Sequence, residues 1–302
     1  MSEIIVGVDG SARGEDAMAF AQQLARTTGA TLTLASAFAY DEWPSRAASN
    51  EYREFLRQDT RVMLDRMRAK LDDPEVPVHA IADPTPARAL HLLADQDGAA
   101  LLVIGSSHRG RVGRVLLGST ADRLLHGAPC PVAVVPHGYP AQAPIQTIGV
   151  GCDGSVEGDA ALTAACQVAR RFGAGLRVIR VFDASTMGTP ALMSGPGYVA
   201  AWKEMERLAR ETLESRVASL PDDVAAEAVF LSGSPGGELS AQTEGVDLML
   251  LGSRGYGPLR SVLLGGVAQA VLREAMCPVI VMPRGARHGV DELFAAASEA
   301  SA

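Results

Sequence analysis

The strongest constraint on this chain is that it contains itself twice. The segment Ile4-Ile5-Val6-Gly7-Val8-Asp9-Gly10-Ser11 returns 144 residues later as Ile148-Gly149-Val150-Gly151-Cys152-Asp153-Gly154-Ser155. Two more segments return at an offset of 147: Val103-Ile104-Gly105-Ser106 as Leu250-Leu251-Gly252-Ser253, and Cys130-Pro131-Val132-Ala133-Val134-Val135-Pro136 as Cys277-Pro278-Val279-Ile280-Val281-Met282-Pro283. A chain of 302 residues is near the upper size for one core, so two domains are the natural division. The repeat puts them at 1–137 and 145–285, with a stiff Gly- and Pro-containing connector at 138–144 and a tail at 286–302.

Within each half, short β-rich runs alternate with longer helical patterns, which predicts β-α-β units and a mostly parallel sheet. In the first half strands are expected at 4–8, 31–37, 76–82, 100–104 and 131–135. Helices are expected at 14–28, 50–71, 86–96 and 118–127, the third opened by Pro86 at a favourable first-turn position. Leu101-Leu102-Val103-Ile104 and Leu248-Met249-Leu250-Leu251 are apolar at every position, as strands covered on both faces must be. The fold class is therefore α/β: two tandem, five-stranded, doubly wound parallel-sheet domains.

Composition removes several classes of function. With 47% hydrophobic and 21% charged residues and no long apolar run, the chain reads as an ordinary globular protein with no membrane span. Its N-terminal residues lack the basic stretch of a secretory signal, so a cytoplasmic location is expected. A net charge of -8 opposes a nucleic-acid partner, because phosphate-backbone binding needs Lys and Arg. Cys130, Cys152, Cys166 and Cys277 sit in or beside apolar stretches without C-x-x-C spacing, and read as buried thiols rather than metal ligands.

In an open parallel sheet, ligands bind beyond the carboxyl ends of the strands where strand order reverses. Two loops per half stand out there. The first is Asp9-Gly10-Ser11, repeated as Asp153-Gly154-Ser155; the second is the long stretch that begins at Gly105 or Gly252. In the second half it runs through Gly255 to Gly265, Gly266 and Val267, where a helix follows, and backbone N–H groups at a glycine-rich helix start cradle anions. Arg254 and Arg260 add positive charge there, as Arg109, Arg111 and Arg114 do in the first half.

These residues resemble the universal stress protein family, whose ATP-binding members carry G-x2-G-x9-G-[ST] after the fourth strand. The resemblance covers roughly 2–137 and 145–284. It implies an adenine nucleotide alpha hydrolase-like fold for each half and ATP, with or without Mg²⁺, as the ligand. The second half supplies Gly252, Gly255 and Gly265 but has Gly266 where the family prefers Ser or Thr. The first half supplies Gly105, Gly118 and Ser119, followed by Thr120, but has His108 in place of the second glycine. The His108 side chain either obstructs phosphate or donates to it. The resemblance further implies that Asp9 and Asp153 meet the nucleotide near its ribose, and that the second-strand ends at Ala37 and Val181 line the adenine. Family members often dimerise through the last strand, so the two halves are expected to pair intramolecularly at 131–136 and 278–283 about a pseudo-two-fold axis, with a homodimer as a further option.

Plainer roles stand beside these. Asp9 and Asp153 suit an Asx turn before the first helix, and Ser119-x-x-Asp122 imitates a capping box. No Walker loop, nucleophile elbow or other catalytic set is present, so an ATP-binding stress-response regulator is the leading expectation. A slow ATP hydrolase or a phosphoryl or nucleotidyl transferase is one alternative, with Asp9 or Asp153 holding Mg²⁺. The other is an interaction protein without nucleotide, with partner contacts in loops 39–50 and 183–199.

Overall fold

The computed structural model describes residues 2–40, 50–71, 73–107, 113, 115, 117–183, 196–253, 265–283 and 293. The first half runs β1 (Glu3–Gly7), α1 (Ala12–Thr28), β2 (Thr31–Phe38), α2 (Asn50–Arg68), β3 (Val78–Ala82), α3 (Pro86–Asp97), β4 (Leu101–Gly105), α4 (Ser119–Leu125) and β5 (Val132–Val135). The second half repeats it as β6 (Thr147–Gly151), α5 (Val156–Phe172), β7 (Gly175–Phe182), α6 (Pro196–Ala218), β8 (Ala226–Ser232), α7 (Pro235–Gln242), β9 (Leu248–Gly252), α8 (Gly266–Glu274) and β10 (Val279–Met282). Every element expected in the first half is present, with ends displaced by at most a few residues.

The strands form one sheet in the order β3-β2-β1-β4-β5-β10-β9-β6-β7-β8. Each half is a parallel five-stranded sheet. The halves join where β5 meets β10 antiparallel, with Val279 opposite Val134, Ile280 opposite Ala133 and Val281 opposite Val132. This is the last-strand pairing expected from the resemblance.

Side-chain alternation splits the core into two layers, one on each face of the sheet. Ile4, Val6, Leu101 and Val103 pack with Phe20, Leu24, Leu64, Ala165 and Leu213 under α1, α2, α5 and α6. Ile5, Leu102 and Ile104 pack with Leu90, Leu124, Leu239 and Val271 under α3, α4, α7 and α8. Because β4 and β9 feed both layers, all-apolar strands are what they require, and Leu101, Leu102, Leu248 and Leu250 are fully buried.

The connector is not a free spacer. Asp16 on α1 accepts from the Gly138 backbone N–H at 2.8 Å, with His137 Nδ1 at 3.0 Å from the same oxygen. Gln23, two turns along, donates to the Ala143 carbonyl at 2.6 Å and accepts from the Tyr139 hydroxyl at 2.9 Å. The Tyr139 ring meets Phe20 edge-on, with ring centroids 5.6 Å apart. Of the tail, Leu293 is described and is buried in the core layer under α1 and α5; the rest of 286–302 lies outside the described residues.

Candidate functional site

Strand order reverses between β1 and β4 in the first half, and between β6 and β9 in the second. Those are the positions at which an open parallel sheet offers a crevice. The loops that follow these four strands are the ones singled out by the repeat.

After β1 the chain turns sharply. Gly10 has φ +75° and Gly154 has φ +80°, a left-handed conformation that disfavours side chains. The turn is held by the Asp. Asp9 Oδ1 accepts from the Ser11 N–H at 3.1 Å and from its hydroxyl at 2.6 Å; Asp153 Oδ1 accepts the same pair from Ser155 at 2.9 and 2.6 Å. Ser11 and Ser155 then cap α1 and α5 by accepting from the N–H of Gly14 and Gly158. The expected Asx turn is therefore present in both halves, and it fixes each carboxylate beside the first turn of its helix.

Gly105 and Gly252, the first glycines of the long loops, end β4 and β9. A Cβ on Gly105 would lie 2.3 Å from the Arg13 carbonyl oxygen, and one on Gly252 would lie 2.8 Å from the Glu157 carbonyl carbon. Arg13 and Glu157 hold equivalent places in the first turns of α1 and α5. These glycines let the helix sit directly on the neighbouring strand end, a packing reason that holds without any ligand.

Both long loops are closed at the base. In the second half the Gly265 N–H donates to the Ser253 carbonyl at 2.6 Å. In the first half a Cβ on Gly118 would lie 3.3 Å from Ser107 Cβ, so the two loop ends touch there as well. Ser106 and Ser253, next to these contacts, are both buried, and Ser106 Oγ has no hydrogen-bond partner among the described residues.

The capping box at Ser119 is not formed. The N-cap of α4 is Gly118, extended at φ -92° and ψ 168°, and Ser119 is the first helical residue. Asp122 donates its N–H to the Gly118 carbonyl instead of standing opposite a serine hydroxyl. α8 starts the same way, with Gly265 as N-cap and no side-chain cap bond. In both helices the N-cap is a glycine, so the cap residue itself offers no side-chain bond to the first N–H groups. Gly266 is exposed, and a Cβ there would meet nothing within 4 Å. Thr120 is partly buried on α4, and Val267 is partly buried against the core layer of α8.

Asp9 and Gly105 thus follow the two strands at one strand-order reversal, with Gly118, Ser119 and Thr120 at the start of the next helix, α4; Asp153 and Gly252 do so at the other, with Gly265, Gly266 and Val267 at the start of α8. Ala37 and Val181 are partly buried near the ends of β2 and β7. His108 and Gly255 lie outside the described residues, as do Arg109, Arg111, Arg114, Arg254 and Arg260, the loops 41–49 and 184–195, and most of the tail.

Sequence reasoning missed Val115, which is fully buried and donates its N–H to the Ala275 carbonyl, across the two halves, at 2.7 Å. The signal was available: Val115-Leu116-Leu117-Gly118 returns as Val262-Leu263-Leu264-Gly265 inside otherwise polar, basic loops.

Among the described residues no group of three or more His, Cys, Asp or Glu is placed to hold a metal, and no helix is long and apolar enough to cross a membrane. All four cysteines are buried and unpaired with one another. Burial pushes the Cys130 thiol up to about 12 and raises Cys152, Cys166 and Cys277 above the ordinary range, so these thiols stay protonated.

Known proteins resemble the chain along nearly all its length. A universal stress protein of Mycolicibacterium smegmatis is 30% identical over 291 residues, covering 92% of this chain and 96% of its own. One from Mycobacterium tuberculosis is 30% identical over 294 residues, covering 93% and 99%. Among solved structures, a universal stress protein of Archaeoglobus fulgidus superposes with a TM-score of 0.66 at 19% identity, covering 94% of this chain and 96% of that one. A putative universal stress protein of Pseudomonas aeruginosa gives 0.63 at 18%, covering 99% and 98%. These two likenesses establish the shared two-domain fold. The profile of the Universal stress protein family matches twice, over residues 1–136 and 144–283, and with the duplicated sheet, the repeated loops and the full-length relatives it leads to one conclusion: the chain belongs to the universal stress protein family.

Proposed function

We propose that this protein is an ATP-binding stress-response regulator, each half holding an adenine nucleotide between the loop after its first strand and the glycine loop after its fourth. The observation that carries this reading is the coincidence, in both halves, of a strand-order reversal with a helix whose N-cap is a glycine. The first N–H groups of such a helix favour anionic phosphate. Asp9 and Asp153, held beside the first helix, suit a ribose hydroxyl, and the backbone at Ala37 and Val181 suits the adenine edge. Mg²⁺ would accompany the phosphates. The glycine-loop arginines supply local positive charge on a chain whose net charge is -8. Four reduced, buried thiols fit a cytoplasmic setting.

A second reading is favoured by a specific observation. Gly105 and Gly252 are required for packing, so a family member that had lost its nucleotide would still keep them. The departures at His108 and Gly266 agree with such a loss in either half, leaving an interaction protein.

Calorimetric titration of nucleotide-stripped protein with Mg-ATP separates the two. Ser119→Asp and Gly266→Asp place a carboxylate at each helix start to repel phosphate and assign the heat to one half. Two sites mean both altered motifs function, and one site names the working half. No heat and no thermal stabilisation at saturating Mg-ATP, where about 2.7 kcal/mol is expected at 100 times the Kd, favours the interaction protein.

A further inference from the structure

We propose that the groove between α5 and the end of α6 is a binding site for a small, neutral, polyhydroxylated compound the size of one sugar or cyclitol ring. A cavity of about 470 Å³ opens there, within the usual range for small-molecule sites. Its polar wall includes Asp159, Thr163, Gln167 and Arg170 on α5 and Arg216 on α6. Leu162, together with Leu220 and Pro221 in the turn after α6, gives it an apolar side. None of these residues belongs to the loops after β6 and β9, so the site stands whether or not the protein holds a nucleotide.

The charges of this wall cancel. Asp223 Oδ1 accepts from Arg170 Nε at 3.0 Å and from Nη2 at 2.8 Å, and Arg216 Nη2 lies 2.5 Å from Asp159 Oδ1. Each guanidinium already has its carboxylate, so a charged ligand would enter without a free counter-charge, and a neutral one is favoured. What the wall lacks is hydrogen bonds. Gln167 Oε1, Asp159 Oδ1 and Arg216 Nε are buried with no hydrogen-bond partner among the described residues, the Asp159–Arg216 contact being an ion pair without hydrogen-bond alignment. Two acceptors and one donor left unmet in this way carry a desolvation cost that a ligand can relieve. The side chains of Asp159 and Arg216 remain 41% and 37% exposed, so a small rotation turns their unmet atoms toward the cavity.

A hydroxyl both donates and accepts, so one chemical group answers all three atoms. Hydroxyls spread round a ring reach separate side chains, where an amide holds its donor and acceptor at one end. The C–H face of such a ring suits Leu162, Leu220 and Pro221. The repeat supplies a parallel: Gln23 is the counterpart of Gln167 at the 144-residue offset, and its Oε1 does accept a hydroxyl, that of Tyr139, at 2.9 Å.

The test uses the full chain, free of nucleotide and methyl-labelled at leucine, followed by NMR. The probes are myo-inositol and D-glucose, with D-glucuronate as the charged comparator. The expected result is a saturable shift of the Leu162 and Leu220 methyl signals with a neutral probe, and weaker binding of D-glucuronate. Gln167→Met keeps the side-chain length but removes the amide oxygen, and should weaken the neutral probe about tenfold, the usual effect of losing one buried hydrogen bond. Thr163→Trp, at an exposed position on the wall, should fill the cavity and abolish the shifts. Absent or unsaturable shifts with both neutral probes overturn the proposal. So does D-glucuronate binding as tightly as D-glucose, or an affinity unchanged in both Gln167→Met and Thr163→Trp.

Discussion

Gly105 and Arg13 are in steric register: the strand end leaves room for the helix carbonyl only because it carries no side chain, a Cβ there falling 2.3 Å from the Arg13 oxygen. Real Cβ contacts essentially never fall below 3.0 Å. Gly105→Ala must push the first turn of α1 off β4, and it should destabilise the ligand-free protein by about 1–3 kcal/mol, the usual range for overpacking. Urea denaturation without nucleotide measures this. An unchanged midpoint would show that the turn yields freely.

Gly266 is the opposite case. Because a Cβ there meets nothing within 4 Å, Gly266→Ser should leave stability within about 0.5 kcal/mol, as for other exposed sites. Restoring the family's hydroxyl should tighten Mg-ATP binding in the second half several-fold, whereas Gly266→Asp should weaken it by tenfold or more. Titrations of both variants in a Ser119→Asp background isolate this half, and equal affinities for the two would rule out phosphate at the α8 start.

Val134 and Ile280 lie in the strands that join the halves, and both are fully buried. Val134→Lys or Ile280→Lys would set an unpaired ammonium in the middle of the sheet, a loss of more than about 3 kcal/mol. Thermal melting should show a large drop or a split into two transitions. A full-height, unshifted melt would contradict the joint.

The thiols should be silent in the native protein. Cys130 is raised to about 12 by burial, and Cys277 is raised further. A thiol-reactive disulfide reagent at pH 8 should label none of the four until denaturant is added. The sign of the linkage is also fixed: a neutral form favoured by folding contributes stability that is complete below the ordinary thiol pKa and is lost as pH rises toward 12. Urea midpoints in reductant should therefore fall from pH 8 to pH 11. Rapid native labelling would mean that the layers beneath Cys130 and Cys277 open readily.

Much of this was legible in the chain itself, for identifiable reasons. All-apolar β4 and β9, the offset copies and Pro86 at the start of α3 are local signals, and they placed the elements correctly. The candidate site was legible only as a set of loops, because strand order determines where a crevice opens. The capping-box alternative for Ser119 failed because a Ser-x-x-Asp pattern is indifferent to where the helix begins, and the neighbouring Gly118 took the extended cap position first. The repeated Val-Leu-Leu-Gly could have marked Val115 as buried, but not its partner, because the Ala275 carbonyl belongs to the other half and a backbone group leaves no trace in sequence. The hold of Asp16 and Gln23 on the connector escaped for the same reason, since both reach more than 110 residues along the chain.

The antiparallel seam between β5 and β10 also bears on how such a protein can be divided. Cut within 138–144, each half would present a short strand of bare amide and carbonyl groups flanked by fully buried Val132, Val134, Val279 and Val281. An unprotected edge of that kind recruits other strands. The covalent tie keeps the right partner at high effective concentration, so fusion of the two copies doubles as protection against promiscuous self-association.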